Sequence, residues 1–149
     1  MLPLNARCLT TPLFLPMNYQ KDISACGFIA NILGDMPYKI APRSDDVELD
    51  LALVRQMKMV VAMRLHGLLY AISGQVPSVG ISYDPKVSGC AEYLGVHTIE
   101  LQSVTAENLS RAIDEALDEA ASGKTAPQLE EIRRAEKMNL EAAKLLLEE

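Results

Sequence analysis

The sequence has no tryptophan, only two phenylalanines and five tyrosines in 149 residues. Without a row of aromatic side chains it lacks the platforms on which single-stranded nucleic acid stacks. Basic residues are also scarce, 14 Lys and Arg against 20 Asp and Glu, for a formal charge of −6. That balance argues against a nucleic-acid or anionic-membrane partner, each of which needs a basic face. An anionic small molecule remains compatible, because a pocket can be locally positive on an acidic protein. Cysteine is equally sparse: Cys8, Cys26 and Cys90 are odd in number and lack C-x-x-C spacing. This excludes a disulfide framework or a zinc site of the usual kind and points to a reducing cytoplasm.

Long apolar runs are missing too. No stretch approaches the roughly 20 residues of a spanning helix, so the chain is not expected to be transmembrane. Pro3, Pro12 and Pro16 break the N-terminal apolar segment before it resembles a signal peptide. There is no G-x-G-x-x-G, no P-loop and no G-x-S-x-G, which disfavours the usual dinucleotide, nucleoside triphosphate and serine-hydrolase chemistries. With 49% hydrophobic and 23% charged residues, what remains is the profile of a globular domain of ordinary size.

Apolar runs alternate with helical periodicity along the chain. Pro12–Met17, Tyr38–Ala41, Met57–Met63, Pro77–Ser82 and Val96–Leu101 read as strands, and the uninterrupted Met59–Met63 suits a central parallel strand. Between them, Asp22 is expected to cap a helix carrying Ile23, Cys26, Ile29, Ile32 and Leu33, with Gly34 as its stop. Ser44-Asp45-Asp46 opens a second helix, Gly67–Ser73 forms a third ending at Gly74, and Asp84-Pro85 opens a fourth that ends at Gly95. Thr105–Ser122 places Leu109, Ile113, Ala116, Leu117 and Ala120 on one face, with Gly123 as cap. Thr125-x-x-Gln128 is a capping box for a last amphipathic helix bearing Leu129, Ile132, Ala135, Met138, Ala142 and Leu145. The expected fold is α/β: a Rossmann-like, mainly parallel sheet with helices on both faces. Residues 1–123 are read as a ligand-binding domain and 124–149 as an appended helix. The early first strand and the unaccommodated stripe of the last helix suggest a missing neighbour.

In open α/β sheets ligands bind beyond the carboxyl ends of the strands, and Arg64 and His66 stand at such an end. On an extended chain residues two apart share a face, so both would project into the crevice while Met63 and Leu65 turn into the core. Gly67 permits close backbone approach where the next helix begins, and its free N–H groups favour an anion. Arginine adds a planar fork for carboxylate or phosphate, and histidine a proton donor or acceptor. An alternative reading pairs Arg64 with an acidic side chain and has His66 hydrogen-bond the backbone. Ser82-Tyr83-Asp84-Pro85-Lys86 should border the same crevice, with Tyr83 as a wall and Lys86 reaching an anion. Here too the alternative is simpler, with Asp84 a helix cap and Lys86 a solvated charge. His97, with no carboxylate near it in sequence, reads as a structural histidine, and the seven methionines as core filler.

The run Val60-Val61-Ala62-Met63-Arg64-Leu65-His66-Gly67, followed by Val79-Gly80-Ile81-Ser82-Tyr83-Asp84-Pro85-Lys86, resembles the polysaccharide pyruvyl transferase family in its R-L-H and I-S-Y-D-x-K elements. Phe14–Met17 and Asp22 extend the likeness upstream, so that it covers most of residues 12–101. The resemblance implies the C-terminal lobe of a two-lobed fold like that of B-type glycosyltransferases. It implies phosphoenolpyruvate as donor substrate, no further cofactor or metal, and a cell-wall, exopolysaccharide or lipid-linked sugar as acceptor. His66 then takes the catalytic position, with Arg64, Leu65, Gly67, Tyr83 and Lys86 at the substrate. The family's N-terminal lobe has no counterpart here, so the other wall of the crevice would come from that lobe or another chain. Two further readings are a sugar-nucleotide-dependent glycosyltransferase or epimerase half, and a non-catalytic assembly module docked through its last helix.

Overall fold

The computed structural model describes residues 11–123, 134, 136–141 and 143–145. It is a mixed α/β chain that divides into two compact units between Asp50 and Leu51. All the strands pair in parallel, but in two short sheets rather than the single sheet expected from the alternating pattern.

In the first unit, β1 (Leu13–Phe14) and β2 (Lys39–Ile40) are joined by α1 (Tyr19–Leu33). Lys39 donates its N–H to the Pro12 carbonyl and Ala41 to that of Phe14, and the rings of Phe14 and Tyr38 meet at 6.1 Å. Asp22 does not cap α1. The N-cap is Asn18, and Asp22, inside the first turn, accepts the Asn18 N–H at 2.8 Å. The carboxylate thus closes the helix start from within, as the distal member of a capping box does. The buried row is Cys26 and Ala30, whereas Ile29 and Ile32 are exposed, because a sheet of two-residue strands covers only a narrow strip of helix. Gly34 ends α1 at φ +58, the left-handed region that costs a side-chain-bearing residue most. Burial raises the Cys26 thiol above its ordinary value, and the Asp22 carboxylate adds to the effect.

α2 (Val47–Val54) spans the boundary between the units. Asp46 accepts the N–H groups of Glu48 and Leu49 at 2.9 and 3.2 Å, which is the acidic opening the sequence implied.

The second unit runs β3 (Val60–Ala62), α3 (Leu65–Ser73), β4 (Ser78–Ser82), α4 (Pro85–Leu94), β5 (His97–Glu100) and α5 (Ala106–Ala121). The strand order is β3-β4-β5, so the expectation that Met59–Met63 forms a central strand fails. β4 is central, β3 lies at an edge of its sheet, and Val61 is 43% exposed. An apolar run does not distinguish a strand covered on two faces from one whose second face is open. Ala62 gathers with Leu68, Val87 and Ala91 beneath α3 and α4. On the opposite face Val79 gathers with Ala112 and Ala116 of α5, flanked by Met59, Ile99, Leu109 and Ile113. Helices therefore cover both faces of this sheet.

Two glycines set how closely α3 lies. A Cβ on Gly67 would stand 3.0 Å from that of Ala62, and one on Gly80 would stand 2.9 Å from Thr98 Cγ2 and 3.3 Å from Leu68 Cδ1. Helix ends follow the sequence: Asp84 and Pro85 open α4, Gly95 closes it at φ +64, and Thr105 with Asn108 forms a full capping box on α5. Gly74 caps α3, yet the left-handed residue there is Gln75 at φ +57. Gly74 is needed for a different reason, since a Cβ on it would lie 2.9 Å from Arg55 Cγ.

Arg134, Glu136–Glu141 and Ala143–Leu145 are helical, Lys144 pairs with Glu141 at 3.3 Å, and Met138 and Leu145 are exposed. Thr125, Gln128, Leu129, Ile132, Ala135 and Ala142 lie outside the described residues. Among the described residues no helix is long and apolar enough to cross a membrane.

Gly80→Ala is expected to destabilise the chain by about 1–3 kcal/mol, the range for forcing a methyl into a filled core, read as a lower urea midpoint at constant slope. In a Cys8→Ser, Cys90→Ser background, the Cys26 thiol should react with a disulfide reagent more slowly folded than unfolded. Its proton is held more tightly in the folded state, so its contribution is intact below the ordinary thiol range near 9.0. That contribution is lost as the pH climbs through the raised folded value. Urea midpoints that do not fall on alkaline titration would contradict this.

Candidate functional site

The parallel register aligns Ala62 with Gly80, and Ser82 with Glu100, so β3, β4 and β5 deliver their carboxyl ends to one edge. Arg64 and His66 follow β3, and Tyr83 to Lys86 follow β4. The two segments sequence reasoning singled out are thus neighbours.

The chain is not extended through Arg64-Leu65-His66. Arg64, with φ −89 and ψ 132, is the N-cap of α3, and its carbonyl accepts the N–H groups of Gly67 and Leu68 at 3.0 and 3.4 Å. His66 is consequently the second residue of the helix. With Arg64 extended at the N-cap and His66 in the first helical turn, the two do not share a strand face, and both stand at the helix end. The expectation that Met63 and Leu65 turn into the core also fails in part. Met63 is 42% exposed, and Leu65 is only half-buried, because the helix turns the chain two residues earlier than expected. Arg64 is half-buried and already interacts within the chain; His66 is exposed. Gly67 is buried against Ala62, so its missing side chain serves the approach of α3 to β3.

The two helix openings at this edge differ. Among the described residues no side chain caps α3, whose first N–H groups precede any helical carbonyl and carry the positive end of the helix dipole. At α4, Asp84 accepts the Lys86 N–H at 2.9 Å, and Lys86 Nζ lies 3.8 Å from the same carboxylate. Asp84 is therefore a cap and Lys86 a largely exposed charge beside it. Among the described residues the α4 terminus thus has a carboxylate cap and the α3 terminus has none.

Sequence reasoning placed Ser82 in the bordering segment but gave it no role of its own. Its side chain is fully buried, and its hydroxyl donates to the Asp84 carbonyl at 3.2 Å, which tightens the turn presenting Tyr83. A small polar residue ending an apolar strand just before Asp-Pro is the signal that could have identified it. His97 does have carboxylate neighbours: Nε2 lies 3.0 Å from Glu119 and Nδ1 3.8 Å from Glu115. Both come from one face of α5, four residues apart, and so were invisible near His97 in the sequence. This cluster ties the start of β5 to the end of α5, away from the carboxyl edge, in keeping with a structural histidine. No group of three His, Cys, Asp or Glu among the described residues could hold a metal ion.

The polysaccharide pyruvyl transferase family matches residues 4–85, more than half of the chain. The chain belongs to that family. The matched span includes Arg64-Leu65-His66 and Ser82 to Pro85 and stops one residue before Lys86, so most of α4, β5 and α5 lie outside it. It starts nearer the N-terminus and ends sooner than the likeness over 12–101 suggested. No curated protein and no solved structure matches the chain.

Replacing Asp84 by Ala removes the cap of α4 and should cost about 1 kcal/mol, seen as a lower thermal midpoint. Lys86→Ala, which removes only an exposed charge, should leave the midpoint within about 0.5 kcal/mol of wild type.

Proposed function

We propose that this chain is the C-terminal, ligand-binding half of a polysaccharide pyruvyl transferase and acts in the cytoplasm. Phosphoenolpyruvate is the donor, held over the start of α3. The observation that carries the reading is the uncapped N-terminus of α3 bearing Arg64 and His66 at the carboxyl edge of a parallel sheet. Phosphoenolpyruvate carries a carboxylate and a phosphate. Free helix N–H groups and a guanidinium are the donors such groups bind.

In this reading His66 protonates the methylene carbon of phosphoenolpyruvate, and a hydroxyl of the acceptor sugar attacks the adjacent electrophilic carbon. A second hydroxyl of the same sugar then displaces phosphate, leaving pyruvate as a cyclic ketal. One hydroxyl proton in effect replaces that spent on the new methyl group, and the other leaves with phosphate. Arg64 and the α3 terminus hold the anionic groups throughout, and Leu65 and Gly67 fix the turn that places them. The fold is proposed to be the Rossmann-like lobe of a two-lobed, B-type-glycosyltransferase-like enzyme. Its second lobe, from the same or another chain, would close the crevice over a cell-wall, exopolysaccharide or lipid-linked sugar.

In the assembled enzyme His66→Ala should lower ketal formation by about 10²–10⁴-fold, the usual worth of a general acid, with the circular dichroism of the chain unchanged. Arg64→Ala should weaken phosphoenolpyruvate binding in a calorimetric titration. Undiminished turnover of the His66 variant would exclude it as the acid.

A further inference from the structure

Each strand of the second unit's sheet is followed at once by a large apolar residue left open to solvent. Met63 succeeds β3, Tyr83 succeeds β4 and Leu101 succeeds β5, exposed by 42, 45 and 44% respectively. The last register pair, Ser82 with Glu100, places Tyr83 and Leu101 one residue beyond the same rung. Parallel strands lie about 4.8 Å apart, so Tyr83 and Leu101 form a row at the carboxyl edge, whereas Met63, one residue past the Ala62–Gly80 pair, is level with Ile81. That row borders the Arg64–His66 turn on one side, and the polar turn Ser82–Lys86 runs through it. The fully buried Ser82 hydroxyl, bonded to the Asp84 carbonyl, restrains the turn that carries Tyr83.

We propose that Tyr83 and Leu101 form a ledge that receives the apolar C–H face of a pyranose ring of the acceptor. The inference rests on the pyruvyl-transfer reading for its choice of ligand. A sugar is both hydroxylated and apolar: its ring C–H groups present a weakly positive face that an aromatic ring, negative over its plane, attracts. Its hydroxyls remain free to reach the donor beside α3. The family's name specifies a polysaccharide as the molecule acted on, and the ledge adjoins the turn assigned to the donor. An aromatic and an aliphatic side chain, with no cationic group between them, suit a neutral ring better than phosphate or carboxylate. Tyr83 thus selects for ring faces with several C–H groups on one side and becomes a specificity-determining residue for the acceptor.

Ligand-observed saturation-transfer NMR on the full chain tests this, with the methyl pyranosides of glucose, galactose, mannose and N-acetylmannosamine as probes at millimolar concentration. At least one glycoside should receive saturation mainly at the protons of one ring face. Tyr83→Ala should weaken its binding at least about fivefold, the scale of an aromatic stacking contact, while Tyr83→Phe retains it. Leu101→Ser, a milder change at a second ledge residue, should weaken it to a lesser degree. Unchanged binding in Tyr83→Ala, or no transfer to any glycoside from the wild-type chain, overturns the proposal. Phosphorus NMR of phosphoenolpyruvate added to the wild-type sample reports separately on the donor. Glycoside binding that depends on Tyr83 without phosphoenolpyruvate binding keeps the ledge and sinks the donor reading. Phosphoenolpyruvate binding without any dependence of the sugar on Tyr83 does the reverse.

Discussion

The close seating of α3 on β3 and β4 is the contact from which the candidate site follows. Gly67 against Ala62, and Gly80 beneath Leu68 and beside Thr98, leave no room for a further methyl group without a shift of those side chains. Leu68, fully buried, is the side chain that fills the remaining space and joins Val87 and Ala91 of α4 in one cluster. Small residues at a helix–sheet interface give up apolar area, but they set a position that larger side chains would leave adjustable. The first turn of α3, carrying Arg64 and His66, inherits that position.

Electrostatics then separates two helix ends that packing brings to the same edge. α4 opens on Asp84, whose carboxylate accepts the Lys86 N–H and lies near the Lys86 ammonium. α3 opens on Arg64, which offers the terminus no carboxylate. A negative group near α4 would compete with a charge already in place, whereas near α3 it completes an unsatisfied dipole.

Much of the local structure was legible in the sequence because its signals are local. Asp-Pro for α4, Asp46 for α2, and Gly34 and Gly95 as stops all act within one helical turn. What was missed depended mostly on partners distant in sequence, Asp22 excepted, since it lost a local competition. Asp22 has the chemistry of a cap, but Asn18 four residues earlier takes the position. Met59 to Met63 is apolar enough for a central strand, yet strand order is decided by which segments pair, and β4 took the centre. His97 gained Glu115 and Glu119 only because α5 folds back along β5.

For the site, the sequence by itself determined the family and identified the Arg64–His66 and Ser82–Lys86 segments, because their side-chain types and order are features of the chain. Tertiary structure alone decided how they are used. It converted the R-L-H strand end into a helix cap and first turn, since the Arg64 carbonyl accepts from Gly67 and Leu68. It also committed Asp84 to capping and brought Tyr83 and Leu101 side by side at one edge. The physical reason is that helix starts and strand registers are settled by backbone hydrogen bonds and close packing between segments far apart in the chain. Neither is expressed in the spacing of residues along it.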